Sequence, residues 1–569
     1  MIKSPGRLFK HKSFSLLIAV AFLATQAISS VPSIASEVSR KNYDVVIYGG
    51  TPSAVAAAIS VSNAGHSALI ISDRPTIGGA ISNGLGAADV RAKFAVTGIS
   101  GEFFHRVQGF YKDPNMWNVE PRVAERIFRT MVRGQNIEVV TNAKLESVDT
   151  QDNRITCANV KWSKQFCGQV FIDASYTNDL VDLAQVPTNL GPSDLYTYDE
   201  PEARSRYFTQ VGDFSGYSKV RVYNAMKNNP FITKSDVVPQ GKELLTSGTP
   251  SWNYRLCLSK KHMRPFKRWP GYYQLVPSWR VLASAIHVKK MVCVYECLRH
   301  PKKPGRATLV HIVKLPNGKF DLNAGTSQIS NFPIPREYFT NPQSRTEIET
   351  SMRRYLESYL YFVQHDATVP RSDQKKLKGL GLCADEFTGN HNWPYAPYIR
   401  EGRRLIGKST LTTNDILRAR TNVESVAIGS YSLDTKSSQV IYAEGAVYRD
   451  IGKFINPSVY EIPYSALVPA SGPTNLLSSV NISTSPTAFG SVRMEAQFME
   501  IGQAAGTAAS IALERSIPVD TVHVNGLRAR LWRAGLVTSI KVLCEKLPKR
   551  DRPTWQFNRS TCEITHEVD

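Results

Sequence analysis

The chain is 569 residues long, with 42% hydrophobic and 21% charged residues, a balance that excludes a disordered or fibrous protein and leaves room for more than one domain. Its net charge of +21 comes from 69 lysines and arginines against 48 acids. These are spread along the chain without the signature of a nucleic-acid module, so no nucleic-acid partner is expected, and the excess points to anionic surfaces, acidic substrates or solubility alone.

Residues 1–35 read as a signal peptide. Lys3, Arg7, Lys10 and Lys12 precede an apolar run at 14–27, and Ser33-Ile34-Ala35 is a small-residue cleavage pattern. The run is shorter than the roughly 20 residues of a membrane span. No stable membrane span is therefore expected after signal removal, and the protein is expected to be exported, periplasmic or secreted. No twin-arginine pair precedes the run, so a non-covalent cofactor would have to be acquired after export. The eight cysteines fit an oxidising compartment without requiring disulfides.

Residues 43–48 form a short apolar strand suited to a buried parallel sheet. Gly49 fits the tight turn out of it, where positive φ is cheap only for glycine. Gly50, Thr51, Pro52, Ser53 and Ala54 lead into a helix of small residues. Pro52 suits the first helical turn, and Ala54 allows close helix–strand approach. Thr51 stands where a second glycine usually lies, so its side chain must tolerate a nearby phosphate or hydrogen-bond to it. Gly65 stops the helix, and an apolar strand resumes at 68–71. This order is the first unit of a dinucleotide-binding fold, its helix N-terminus free to hold a pyrophosphate. Ser72 is in line with the end of the second strand, and Asp73 follows it. A carboxylate there would bond ribose hydroxyls, whereas Asp73 as a solvated loop acid is the plainer role.

Gly78 and Gly79 open a loop of small residues in which backbone can pass close to a ligand. Glu120-Pro121-Arg122 starts a helix with Val123, Ile127, Met131 and Val132 on one face. A parallel strand is expected at 137–140 and a meander over 145–173. Cys157 and Cys167 flank a turn at Ser163-Lys164 that brings them within reach of each other, and Cys544 with Cys562 is the other local pairing. Cys293 and Cys297 lack the second half of a zinc site and read as structural, so no metal is expected.

From about 189 to 422, aromatics, prolines and basic residues alternate with short strands and one long helix over 346–364, as in an inserted or second domain. His391 is the histidine best suited by its neighbours to proton transfer near neutral pH, against a structural hydrogen-bonded role. Arg400, Arg403 and Arg404 lie at helical spacing with Glu401 beside them, which puts Arg400 and Arg404 on one face. They either grip a carboxylate or sugar acid or form a solvated, salt-bridged face. Past residue 455 the chain turns small and apolar again, ending in an Ala- and Gly-rich helix after Phe489-Gly490-Ser491-Val492-Arg493. Ser491 reads as its N-cap, giving a positive helix end; a packing helix with no ligand is the alternative.

In order, the segments Tyr48-Gly49-Gly50-Thr51-Pro52, Ile77-Gly78-Gly79, Gly84-Leu85-Gly86, Trp117-Asn118-Val119-Glu120-Pro121, Ile172-Asp173-Ala174-Ser175-Tyr176, Tyr254-Arg255-Leu256-Cys257-Leu258, Trp393-Pro394, the stretch at 398–404, Ile428-Gly429-Ser430-Tyr431 and the helix at 489–509 resemble the FAD-dependent oxidoreductase family with the glutathione-reductase type of flavin fold. The resemblance covers roughly residues 43–514. It implies FAD as cofactor and an α/β fold: a Rossmann-like FAD-binding domain, a parallel sheet with a β-meander, assembled from both ends of the chain around an inserted α+β middle domain. The expected divisions are the signal at 1–35, FAD-binding parts at 42–188 and 423–515, the substrate or cap domain at 189–422 and an extension at 516–569. Cofactor contacts are expected at Gly49, Gly50, Thr51, Pro52, Ser53, Ala54, Ser72, Asp73, Gly78, Gly79, Gly490 and Arg493, and catalytic roles at Arg400, Arg404 and His391. Arg493 would stabilise charge on the reduced ring or else pair with Glu495 or another acid.

Three departures bear on flavin affinity. Ser72 replaces the usual acid, Val480 stands where a glycine is expected, and Asn178 replaces another glycine. The function expected is an exported oxidoreductase that moves hydride from a small polar or carbohydrate-like molecule to flavin, with a catalytically degenerate flavin-fold binding protein as the alternative.

Overall fold

The computed structural model describes residues 39–161, 164–192, 197–198, 200, 207–238, 249–285, 292–294, 310–324, 332–417, 423–451, 454–457 and 459–546. The segment read as a signal peptide, Cys297, Cys562 and the last part of the C-terminal extension lie outside the described residues.

Strand β1 (Ser39–Tyr48) turns through Gly49 and Gly50 into helix α1 (Pro52–Asn63), and β2 (Ala68–Ile71) follows. Pro52 occupies the first turn, and Gly65 at φ +88° carries the chain away from the helix end. Helix α2 (Pro121–Val132) leads to β3 (Ile137–Val140), and β4 (Leu145–Gln151), β5 (Arg154–Val160) and β6 (Lys164–Asp173) form the meander. The sheet runs β3-β2-β1-β6-β5-β4, parallel through β6 and antiparallel beyond it. Cys157 faces Cys167 across the hairpin, and the two are disulfide-bonded.

The C-terminal part of the chain completes this sheet. Strand β7 (Leu476–Ser478) pairs parallel with the second half of β6, Leu476 opposite Phe171 and Ser478 opposite Asp173, while β5 takes the first half of the same edge. Asn475 fills the fork: its side chain accepts from the Ile155 amide and donates to the Ile155 and Gln169 carbonyls. Beyond β7 the short helix α4 (Pro486–Val492) precedes the long helix α5 (Glu495–Arg515).

Helix α5 lies directly on α1. A methyl group at Gly502 would stand 2.1 Å from the Ser53 carbonyl oxygen, and one at Gly506 2.2 Å from that of Ala57. The small residues of both helices therefore serve contact between two backbones, burying nine residues of α1 completely or nearly so. That contact joins segments 449 residues apart into one hydrophobic core.

Between these parts, six strands order as Met263–Arg264, Gly381–Cys383, Leu256–Ser259, Lys319–Ala324, Val310–Lys314 and Val292–Val294. A disulfide joins Cys257 to Cys383 across two of them, a pairing the sequence spacing gives no hint of. Helix α3 (Arg345–His365), matching the long helix expected at 346–364, packs Tyr355 and Phe362 around the buried Trp279. Cys544 is disulfide-bonded as well.

Two local expectations fail. Residues 400–404 are not helical: 400–402 carry no regular structure, and Arg403–Leu405 pairs antiparallel with Thr188–Leu190. Ser491 is not the cap of the long helix. Ser485 caps α4, the chain breaks at Arg493 and Met494, and α5 begins only at Glu495. Among the described residues no helix is long and apolar enough to cross a membrane.

Candidate functional site

The carboxyl ends of β1, β2 and β6 meet at a solvent-open cleft of about 640 Å³. Gly49, Gly50, Thr51, Ser72, Asp73 and Gly79 all line it. Gly49 has φ +118°, and a Cβ on it would lie 2.5 Å from the carbonyl of Ala174 at the end of β6. Glycine is required there by both backbone angle and space. The Thr51 hydroxyl donates to the Ala174 carbonyl at 2.7 Å and accepts from the Ala54 amide at 3.2 Å. Its side chain is thus spent on capping α1 and tying it to β6, rather than held for a phosphate. The α1 dipole and first-turn amides still point their positive end at the cleft.

The other residues of the turn face inward. The Ser53 hydroxyl donates to Ser479 just past β7 at 2.8 Å, Pro52 occupies the first turn, and Ala54 is buried in the core. Gly78 turns toward Phe128 of α2, where a Cβ would stand 2.2 Å from the ring. Gly79 faces Tyr176, whose hydroxyl would be 2.2 Å from an added Cβ.

At the end of β2 the Ser72 hydroxyl donates to the Thr76 carbonyl and accepts from the Arg74 amide, so it builds the loop. Asp73 reaches the cleft instead, 3.2 Å from Arg74 Nε. Arg74 in turn holds Glu349 of α3 with both Nη atoms, and Arg345 of α3 holds Asp179 likewise at 2.7 Å. The cationic groups lining this cleft are paired, and its positive character comes from the helix end. Asn178 adopts the left-handed conformation, φ 51°, that its glycine counterpart would take. Its amide bonds the Arg403 and Asn481 carbonyls at 2.8 and 2.9 Å. Val480 is buried in the core and lines neither cavity described here. Both departures are absorbed without reshaping the cleft.

A second cavity adjoins the first. Ala80 and Ile399 line the cleft, and their chain neighbours Ile81 and Tyr398 line the second cavity, together with Leu85, Trp117, Asp89 and Glu495. Tyr176 stands between them. Its hydroxyl accepts from the Ala80 amide at 2.8 Å and donates to Glu495 Oε1 at 2.7 Å. Burial pushes the Glu495 carboxyl up to about 8, against the lowering effect of the Tyr176 bond.

Behind Tyr398 lies a buried charge cluster. Arg493 donates to the Tyr398 hydroxyl at 3.0 Å and pairs with Asp434 at 2.9 Å, not with Glu495. Gly490 lines the same recess as Arg493. The Arg400 guanidinium sits 5.0 Å over the Tyr398 ring and donates to the Ser251 carbonyl and Asn253 Oδ1, with no carboxylate partner among the described residues. Burial, with Arg493 beside it, holds Arg400 down to about 10. Arg255, paired with Asp321, flanks the same ring at 5.7 Å.

Arg404 is separated from this group by the extended backbone. It is fully buried, paired with Glu401 at 3.0 Å and bonded to the Gly191 carbonyl, a structural setting. Arg403 pairs with Asp179 and Asp182. His391 lies exposed at the end of a short turn and lines neither cavity, its carbonyl accepting from Arg264. Glu120, Asp385 and Glu386 converge closely enough for a cation, and the Lys319 ammonium sits among them at 2.7 to 2.9 Å.

Tyr176, Tyr398 and Glu495 are the polar residues of this region given no role from sequence. No local signal marked Glu495, because an acid in the first turn of a helix is common at any exposed helix start.

The profile of the family described as FAD dependent oxidoreductase matches residues 44–531. No curated protein matches the chain. Among solved structures the chain is similar to the flavin-dependent brominase Bmp2, at 11% identity over 86% of this chain and 83% of that one, with a TM-score of 0.35. It is similar to PqsL of P. aeruginosa at 10% identity, over 86% and 92% of the two chains, with a TM-score of 0.31. A shorter match, to L-proline dehydrogenase from P. horikoshii, is 14% identical and covers 28% of this chain, with a TM-score of 0.18; the chain spans only 26% of the length of that protein.

Proposed function

Because the chain belongs to the FAD-dependent oxidoreductase family, we propose that it is an exported enzyme that removes hydride from a small polar or carbohydrate-like molecule. The residues of the cleft fit the family's cofactor: a glycine turn in which a Cβ would collide, a helix N-terminus aimed outward, and the Glu495 carboxyl waiting in the adjoining cavity. Bound FAD supplies the two-electron acceptor, and the protein supplies orientation and electrostatics.

The observation that carries the substrate class is Arg400, a buried guanidinium hydrogen-bonded only to neutral oxygens among the described residues, which lines the recess behind Tyr398, whose ring borders the second cavity. A buried cation in no direct ion pair favours a ligand that brings electron-rich oxygens, as a sugar acid or polyol does. Asp89 and the aromatic wall of Trp117 and Tyr398 suit the hydroxyls and apolar ring face of such a molecule. The domain division expected from sequence gives the segment at 189–422 the substrate side. Export is supported by the signal-like N-terminus and by the disulfides Cys157–Cys167 and Cys257–Cys383.

The test is anaerobic reduction of the FAD-loaded protein by a panel of alcohols, amines, sugars and sugar acids, read by visible absorption. Bleaching by sugar acids or polyols is expected, with loss of affinity in Arg400→Met. Flavin that stays oxidised with the whole panel would contradict the reading and favour a degenerate binding protein. Mass spectrometry of protein from its own host checks export: the mature chain is expected to begin just past Ala35.

A further inference from the structure

Glu495 opens α5 and is 7% exposed, yet only one of its carboxyl oxygens is satisfied. Oε1 accepts from Tyr176. The tyrosine hydroxyl already accepts the Ala80 amide, which leaves its own proton to give. Oε2 is buried without a hydrogen-bond partner, and the residue itself lines the second cavity. With Oε1 committed as an acceptor, the proton of a neutral carboxyl resides on Oε2. A buried O–H without an acceptor costs free energy unless a ligand supplies one. An ionised carboxylate would also be costly here, since it would lie in an apolar cavity near the Asp89 carboxylate.

We propose that Glu495 is a cofactor-binding residue that stays protonated and donates Oε2–H to an acceptor atom on the ring end of bound FAD, with Tyr176 as the positioning residue that fixes which oxygen carries the proton. The inference rests on FAD being the cofactor. The arrangement of the residues supports it, because Tyr176 lines the cleft at the Gly49 turn and its hydroxyl bonds Glu495, which lines the adjoining cavity. No covalent bond changes; one hydrogen bond forms on binding.

The groups facing Glu495 are Asp89 from the loop after the glycine-rich turn, Tyr176 from the end of β6, and Tyr398 across the cavity; Arg493 lies behind Tyr398, in the next recess. Burial pushes the Glu495 carboxyl up to about 8, so it ionises within a convenient range. The experiment measures the FAD dissociation constant of the apoprotein by flavin fluorescence quenching from about pH 6 to 9.5. In the wild type, Kd is expected to be flat at low pH and to rise roughly tenfold per pH unit above the ionisation. Glu495→Gln keeps a donor and an acceptor and is expected to bind with the low-pH affinity at every pH. Tyr176→Phe removes a donor to the carboxylate and should move the onset to higher pH. Asp89→Asn should move it to lower pH without removing it.

A flat wild-type profile, the same rise in Glu495→Gln, or loss of the rise in Asp89→Asn would each overturn the proposal while leaving FAD binding intact. Failure of every form to take up FAD would overturn the cofactor assignment beneath it.

Discussion

Replacing Gly49 with alanine tests the central geometry of the cleft. The residue holds φ +118°, and its Cβ would lie 2.5 Å from both the carbon and oxygen of the Ala174 carbonyl and 2.6 Å from the Ser175 nitrogen. All three are backbone atoms, so no side chain can swing aside. The backbone angle costs about 1–3 kcal/mol for a residue with a Cβ, and the overpacking a further 1–3 kcal/mol or so. Together the loss is about 2–6 kcal/mol. Gly65→Ala is the matched control, because Gly65 has φ +88° but nothing within 4 Å of its added Cβ. It should carry the angular cost alone, about 1–3 kcal/mol. The assay is urea unfolding of both apoproteins, with FAD content per polypeptide after purification. Gly49→Ala is expected to unfold at lower urea than Gly65→Ala and to lose FAD, because separating β1 from β6 opens the turn that faces the cleft. Equal stability losses with undiminished FAD content in both variants would refute the reasoning.

Gly506→Val, whose Cβ would sit 2.2 Å from the Ala57 carbonyl, should push α5 off α1 at a cost of about 1–3 kcal/mol. Faster hydrogen exchange of the α1 amides would report it, and unchanged protection would contradict it. Burial alone would raise Asp434 and Asp179, yet Lys436 with Arg493, and Arg345 with Arg403, hold their carboxyls down to about 2. Because these folded values lie below the ordinary carboxylate range, the stability they contribute is full above about pH 4 and is lost as pH falls toward 2. Asp434→Asn and Asp179→Asn should therefore be less stable at neutral pH and show a shallower acid limb in urea titrations; parallel limbs would count against the ion pairs. Of the two disulfides with both cysteines among the described residues, Cys257–Cys383 closes a loop of 126 residues and Cys157–Cys167 one of 10. In the chain-entropy picture the first contributes about 4–5 kcal/mol and the second roughly 2–3 kcal/mol. Paired serine substitutions should rank in that order by thermal unfolding.

The strand–turn–helix–strand unit, the meander hairpin with its disulfide, the helix at Pro121 and the long helix over α3 were legible in the sequence. Each is set by interactions between near neighbours. Apolar periodicity fixes the strand, a proline and a glycine mark the helix ends, and two cysteines ten residues apart meet across one turn. The Ala- and Gly-rich composition of the two helices announced close packing without naming the partner. The pairing of Gly502 and Gly506 with the α1 backbone exists only once β7 has entered the sheet beside β6.

The charged residues resisted local reading. Arg400 and Arg404 keep a four-residue spacing that would share a helix face in water, but here the chain is not helical, Arg404 lies in a strand paired with Thr188–Leu190, and both side chains are buried. Helical spacing of charges is informative when the face is solvated. Once the partners come from distant segments, the partners decide the conformation. Glu495 is the sharpest case, because nothing local distinguishes it from a surface acid at a helix start. Its partner Tyr176 lies 319 residues away, and only the closing of α5 over the end of β6 removes water from the carboxyl and leaves one of its oxygens buried without a partner beside a cavity. Short-range physics determined the elements; the loss of water at contacts between remote elements decided which polar groups became a site.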